Sequence, residues 1–194
     1  MYNILKIESA VQGYIRLTVS DPSGNRSYVV RNSVYEELGM PCRGAELEDE
    51  ALGILEAADE YYRAKRAALS ILSFGDNNKR TLHTKLRARS ISDEIATEVV
   101  EEMISLGYID ETRQLHRLIA EDAGRKLLGP RKIVPRLMAK GYSLADIKEA
   151  FISLSDSGEI DFDKNKELLL DKYLGSDRDP EQIKKLLYKY GYDF

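Results

Sequence analysis

The sequence repeats itself with a period close to fifty residues. A shift of 51 lays Asp59 on Asp110 and Asp110 on Asp161, and Gly107-Tyr108-Ile109-Asp110 on Gly158-Glu159-Ile160-Asp161. The same shift lays Leu82, Leu86, Arg89 and Ser92 on Ile133, Leu137, Lys140 and Ser143. A shift of 50 carries that set on to Ile183, Leu187, Tyr190 and Asp193. A unit of this size buries a modest core alone and a better one when stacked on its neighbour, so the period dictates a chain of stacked units.

Within the units the apolar spacing is helical. Ala58, Tyr61, Tyr62, Lys65, Leu69 and Leu72 make one face, Ile95, Val99, Val100, Met103 and Leu106 another, and Leu115, Leu118, Ile119, Leu127 and Leu128 a third. Each unit reads as a first helix opening near the repeated Asp, a second ending at a Gly or Ser, and a third opened by a Ser or Asp cap. Gly107, Gly129, Gly141, Gly158, Gly175 and Gly191 read as stops, and Ser92, Ser143 and Asp179 as N-caps. Pro135, inside a second helix, is expected to kink it or delay its start. About eight helices result, with two in the third unit. The expected fold is mostly α: tandem three-helix repeats forming an elongated curved array, with a small N-terminal β-rich segment. Such a shape suits binding along a polymer better than enclosing a substrate.

Before residue 50 the period is that of strands. Asn3–Glu8 and Tyr14–Ser20 alternate apolar and polar residues, and Arg26–Arg31 follows through Asp21-Pro22-Ser23-Gly24-Asn25, a hairpin-turn sequence. A short helix is expected at Ser33–Leu38. A sheet of three such strands needs something larger to pack on. The expected organisation is residues 1–50 as the β-rich region, 51–109 and 110–159 as two repeats, and 160–194 as a truncated third.

Charge and cysteine content exclude several classes. The net charge of -4 resides in residues 1–57, where five basic side chains meet nine acidic ones, and the remainder is balanced. That balance argues against a general polyanion sponge. No apolar run is long enough for a membrane span, no secretory signal is read, and the single Cys42 has no internal disulfide partner. A cytoplasmic protein without a membrane partner is expected.

The second helices concentrate the positive charge. Asn77–Ser92 holds Lys79, Arg80, His83, Lys85, Arg87 and Arg89 and no acid. Ala123–Ala145 holds Arg125, Lys126, Arg131, Lys132, Arg136 and Lys140, again with none, and the third copy has Lys184, Lys185 and Lys189. Acids gather instead at Asp93, Glu94, Glu98, Glu101 and Glu102. Three basic helices in register suggest a strip facing phosphates or an acidic protein groove; the plainer reading is a solvated face with cations near helix C-termini. There is no P-loop and no GxGxxG, and His83, His116 and Cys42 have no partner pattern, so neither catalysis, a metal nor a cofactor is expected. Asp59, Asp110 and Asp161 read as helix caps. Tyr173, Tyr188, Tyr190 and Tyr192 read as core and boundary packing, with base stacking as the alternative.

These residues resemble the RecX family of bacterial recombination regulators. The resemblance runs through Ala67-Ala68-Leu69-Ser70-Ile71-Leu72, Leu106-Gly107-Tyr108-Ile109-Asp110, Gly129-Pro130-Arg131-Lys132-Ile133, Leu137 and Lys140-Gly141-Tyr142, and returns at Leu187 to Tyr192. It implies a non-enzymatic protein that binds RecA in the groove of its filament on single-stranded DNA, inhibits its ATPase, strand-exchange and coprotease activities, and in some members binds DNA; a monomer is expected. Recombination, repair and the SOS response would then be its setting. By position, the second-helix cations and Gly129–Lys132 become the contact candidates. Arg136 departs from the family, which usually has Glu before the Leu of the second unit. Charge reversal of Arg131, Lys132 and Arg136 is expected to weaken inhibition with the fold intact. Two other readings stand beside this one: a helix-turn-helix-like DNA-binding regulator and a general helical-repeat adaptor.

Overall fold

The computed structural model describes residues 2–21, 24–175 and 179–193. An antiparallel sheet of β1 (Tyr2–Ser9), β2 (Tyr14–Asp21), β3 (Gly24–Arg31) and β4 (Glu46–Leu47) is followed by helices, the sheet order being β3-β2-β1-β4. Pro22 and Ser23 of the expected hairpin turn lie outside the described residues; the strands they join pair as far as Asp21 and Gly24. The fourth strand was not expected. It is two residues long, and its pairing with Tyr2 and Asn3 is long-range, so no local alternation announces it.

The helices are α1 (Asn32–Glu37), α2 (Asp49–Ser73), α3 (Lys79–Arg87), α4 (Asp93–Ser105), α5 (Glu111–Ala120), α6 (Pro130–Ala139), α7 (Leu144–Asp156), α8 (Phe162–Leu174) and α9 (Pro180–Tyr190). A π-helical turn, Glu121–Arg125, extends α5. The chain divides into two bodies. The first holds residues 1–75 and 82–106, and the second holds 76–81 and 107–194, so α3 contributes to both.

In the first body, alternate strand residues Ile4, Leu17, Val19, Tyr28, Val30 and Leu47 close over Leu55 of α2. The N-terminal half of α2 is thus the larger element that the sheet requires. This also displaces one expectation. Asp59 caps no helix start: it lies ten residues inside α2, where Oδ1 accepts from the Val29 N–H at 2.9 Å and Oδ2 pairs with Arg63 at 2.9 Å. A carboxylate there satisfies an edge-strand donor that would otherwise seek another strand. Asp110 and Asp161 do cap, accepting from Arg113 N–H and from Asp163 and Lys164 N–H respectively. Ser143 and Asp179 cap as expected, while Ser92 holds the N-cap position of α4 without a side-chain bond.

In the second body the repeat becomes visible as packing. Leu115, Ile119, Ile133, Leu137, Ile147 and Leu154 form the core of one unit, each fully or almost fully buried and worth about 2 kcal/mol on burial. Leu169, Leu170, Leu187 and Tyr192 form the core between α8 and α9. Pro135 does not delay α6, which starts five residues before it; the proline sits on the exposed side.

Successive units meet through one recurring junction. The carbonyl of the residue before the terminal glycine of a second helix is satisfied by the start of the preceding second helix. Lys140 O accepts from the Asn78 side chain at 2.8 Å, and Tyr190 O accepts from the Gly129 N–H at 2.8 Å. Asn78 and Gly129 are equivalent positions. Because Gly129 has no side chain, the two backbones close directly, and Arg131 N–H adds a bond to Gly191 O at 3.1 Å. Gly129 is therefore not a helix stop but the N-cap position of α6, with Pro130 in the first turn.

A buried polar pair shows where the units differ. Gln114 accepts from Tyr142 Oη at 2.8 Å and donates to Asn77 O at 3.3 Å. Its counterpart Asn165, one methylene shorter, donates to Ala123 O at 3.1 Å, and the buried Tyr192 hydroxyl is left without a partner among the described residues. Burial pushes the Tyr192 hydroxyl up to about 12. Tyr142→Phe is expected to cost about 1–2 kcal/mol in urea denaturation, since it strands Gln114; Tyr192→Phe is expected to be neutral or stabilising.

Candidate binding surface

The candidate cations fall into two groups by what surrounds them. In the first body, Arg87 Nε lies 3.5 Å from Asp93 and its guanidinium donates to Ile91 O at 2.5 Å. His83 also faces Asp93, at 3.4 Å. Arg89 donates to Lys85 O at 3.2 Å and stands exposed beside Lys85. The acids of α4 are thus partly counterions for α3. Glu102, at the other end of α4, takes hydrogen bonds from Tyr61 and from Lys65 Nζ at 2.7 Å, with Arg31 at 3.8 Å. Burial raises the Glu102 carboxyl, but the bonds from Lys65 and Tyr61 and the nearby cations outweigh it and hold the group below its ordinary value. The Arg31 guanidinium sits 4.3 Å from the Tyr61 ring centroid, so this cluster ties β3, α2 and α4 together.

In the second body, Lys79 pairs with Glu111 at 3.4 Å, and Arg80 packs its aliphatic stem against Gly141. Arg125 and Lys126 are not on a second helix: they end and follow the π-helical turn at the end of a first helix. That turn brings Asp122 inside, its side chain 4% exposed, where Lys126 Nζ reaches it at 2.8 Å and Arg136 at 3.3 Å. Hydrogen bonds from Lys126 to Asp122 and Glu121 raise its ammonium above the ordinary value. Arg131 pairs with Asp193 at 2.9 Å and lies 5.6 Å from the Tyr188 ring centroid. Arg89, Lys132 and Lys140 have no carboxylate partner among the described residues, Arg125 acts on Glu121 only at longer range, and all four are exposed.

The counterions were the part that sequence reasoning missed. Asp122 stands just outside the acid-free segment and looks like a surface residue of α5; only the π-helical turn turns it inward. The expectation that reversing Arg131, Lys132 and Arg136 spares the fold is therefore corrected, because Arg136 neutralises a buried carboxylate. The tyrosines also divide. Tyr192 is core and Tyr190 half-buried, whereas Tyr173 is 50% and Tyr188 71% exposed. Among the described residues, no three His, Cys, Asp or Glu side chains are grouped to hold a metal, and no helix is long and apolar enough to cross a membrane. Cys42 is an exposed free thiol.

No protein-family model matches the chain, but comparison with known proteins finds RecX proteins similar in sequence and RecX structures similar in fold. Regulatory protein RecX of Oceanobacillus iheyensis is 24% identical over 158 residues, covering 78% of this chain and 57% of the relative. Regulatory protein RecX of Streptococcus uberis is 23% identical over 159 residues, covering 82% of this chain and 57% of the relative. The chain thus spans little more than half the length of these relatives. A crystal structure of regulatory protein RecX matches with a TM-score of 0.72 at 18% identity, over 100% of this chain and 95% of that one. RecX from Lactobacillus salivarius matches with a TM-score of 0.59 at 22% identity, over 71% of this chain and 91% of that one.

Sheet, three-helix units and unit-to-unit junctions define a helical-repeat protein with the fold of these RecX structures. In sequence the chain is similar to these RecX proteins, and in fold it is similar to these RecX crystal structures.

Proposed function

We propose that this chain is a non-enzymatic regulator that binds RecA along its filament on single-stranded DNA and inhibits the filament's ATPase, strand-exchange and coprotease activities. Recombination, repair and the SOS response in the cytoplasm would be its setting, and a monomer its working form. The observation that carries the reading is the RecX likeness, which extends over 78% of the chain in sequence and over all of it in fold.

The chemistry is that of binding alone. Of the candidate cations, Arg125, Lys132 and Lys140 in the second body and Arg89 in the first are exposed and make no close carboxylate pair among the described residues, so they supply charge to a partner without breaking an internal pair. Lys79, Arg87, Lys126, Arg131 and Arg136 supply less, being already neutralised. Arg80 and Lys85 complete the candidate set. A regulator that binds one filament state better than another shifts the filament toward that state by its differential affinity, with no bond made or broken.

The test is co-sedimentation with RecA filaments on single-stranded DNA. The triple variant Arg125→Glu, Lys132→Glu, Lys140→Glu is expected to lose at least tenfold in apparent affinity at about 0.1 M salt while its urea midpoint stays unchanged. Wild-type binding by the triple variant would remove these cations from the interface, and absence of binding by the wild-type chain would remove RecA as the partner.

A further inference from the structure

The first body has an apolar slot where α1, α2 and α4 meet. Val34 of α1, Ala57 and Ala58 of α2 and Ile95 of α4 form its apolar lining, which Tyr61, Arg31 and Glu98 complete. Its volume is about 210 Å³, below the range of about 300–1,000 Å³ usual for small-molecule sites but enough for one side chain. The space is a matter of side-chain size: α2 presents two consecutive alanines there, and neither is long enough to fill the gap. Val34, Ala58 and Ile95 are half-buried and Ala57 is exposed, so the slot opens to solvent. One turn back on the same face of α2, Ile54 is 41% exposed and extends the apolar surface.

The rim of the slot is acidic. Glu94, Glu98 and Glu101 recur at helical spacing along one face of α4, all exposed and none with a cation partner among the described residues. They span about 10 Å of helix axis. Arg31, the cation of the lining, is engaged: it sits 4.3 Å from the Tyr61 ring centroid and faces Glu102 at 3.8 Å. The surroundings do not offset the rim, since the first body carries eleven Lys and Arg against sixteen Asp and Glu. Such a rim repels a phosphate backbone, an anionic membrane surface and an acidic peptide alike. An apolar slot within it fits a helix that carries an apolar anchor and, beside it, cations at i, i+4 and i+7 to match the three glutamates.

We propose that the slot between α1, α2 and α4 is a docking site for a basic amphipathic helix of a partner protein, with one apolar side chain in the slot and Lys or Arg side chains against Glu94, Glu98 and Glu101. This site does not rest on the regulatory reading.

Intrinsic fluorescence of a synthetic peptide tests it, because the chain contains no Trp and all indole emission comes from the probe. The probe is an end-capped helix of Ala and Lys with one central Trp, its lysines three and four residues to either side. Titrated with the full chain at low salt and without RecA, it binds saturably, its emission shifts to the blue as the indole leaves water, and added salt weakens it. Ala57→Leu fills the slot with another strong helix former at an exposed position; affinity falls about tenfold and the blue shift is lost. The triple variant Glu94→Gln, Glu98→Gln, Glu101→Gln lowers affinity about tenfold at low salt and flattens the salt dependence. Both variants keep the wild-type urea midpoint, which separates lost docking from lost folding. Failure of the peptide to bind saturably overturns the proposal. So does wild-type affinity in Ala57→Leu, or equal binding by a peptide with Glu in place of every Lys. A dimer in sedimentation velocity that the triple variant dissolves would assign the slot to a second copy of the chain and reject an outside partner.

Discussion

Gly129→Ala is expected to destabilise the second body by about 3 kcal/mol, the upper end of the usual cost of overpacking. The backbone of Gly129 is extended, at φ -86° and ψ 167°, so alanine meets no conformational objection there. The cost is steric. A Cβ would lie 2.4 Å from Gly191 O, 2.6 Å from Gly191 C and 2.9 Å from a ring carbon of Tyr192. Relief requires α6 and the end of α9 to separate, which stretches the bonds from Gly129 N–H to Tyr190 O and from Arg131 N–H to Gly191 O. Gly53→Ala is the control. That residue lies within α2, and a Cβ there would meet nothing within 4 Å, so alanine is expected to stabilise by about 0.5–1 kcal/mol. Urea denaturation of the two variants decides the matter, and equal stability would mean that the junction is looser than its geometry.

Arg136→Glu is expected to cost a similar amount, about 3 kcal/mol, by a different route. It removes one of the two cations facing the Asp122 carboxylate and puts a like charge in its place. Lys126 alone then has to neutralise both. Lys140→Glu, an equally drastic change four residues on, meets no such partner among the described residues and should leave the urea midpoint within about 0.5 kcal/mol of wild type. If the two reversals cost the same, Asp122 is not the reason for Arg136.

The contrast between these residues explains what could be read from sequence. The helical units were legible because their signals are local and recur: Asp110 and Asp161 cap at the same point of each unit, and Ile133 and Leu137 repeat Leu82 and Leu86 in buried positions. Asp59 carries the same pattern but not the same role, because α2 continues for ten residues ahead of it to cover the sheet. Gly129 looked like a helix stop, since the chain segment that closes on it lies some sixty residues away. The basic segments were legible as charge and not as surface. Whether a cation is free or engaged depends on carboxylates brought in by folding, and Glu111 on Lys79 and Asp193 on Arg131 are of that kind. The tyrosines near the end divided for the same reason: helical phase alone did not separate the buried Tyr192 from the exposed Tyr188.

The proposed inhibition of RecA is tested most directly by the single-stranded-DNA-dependent ATPase of RecA from the same source, titrated with this protein. Inhibition is expected at amounts below one molecule per RecA protomer, with the Arg125, Lys132, Lys140 triple reversal weaker by at least tenfold and unchanged in stability. An ATPase rate that stays constant up to a molar excess, with filament binding and strand exchange also unaffected, would contradict it.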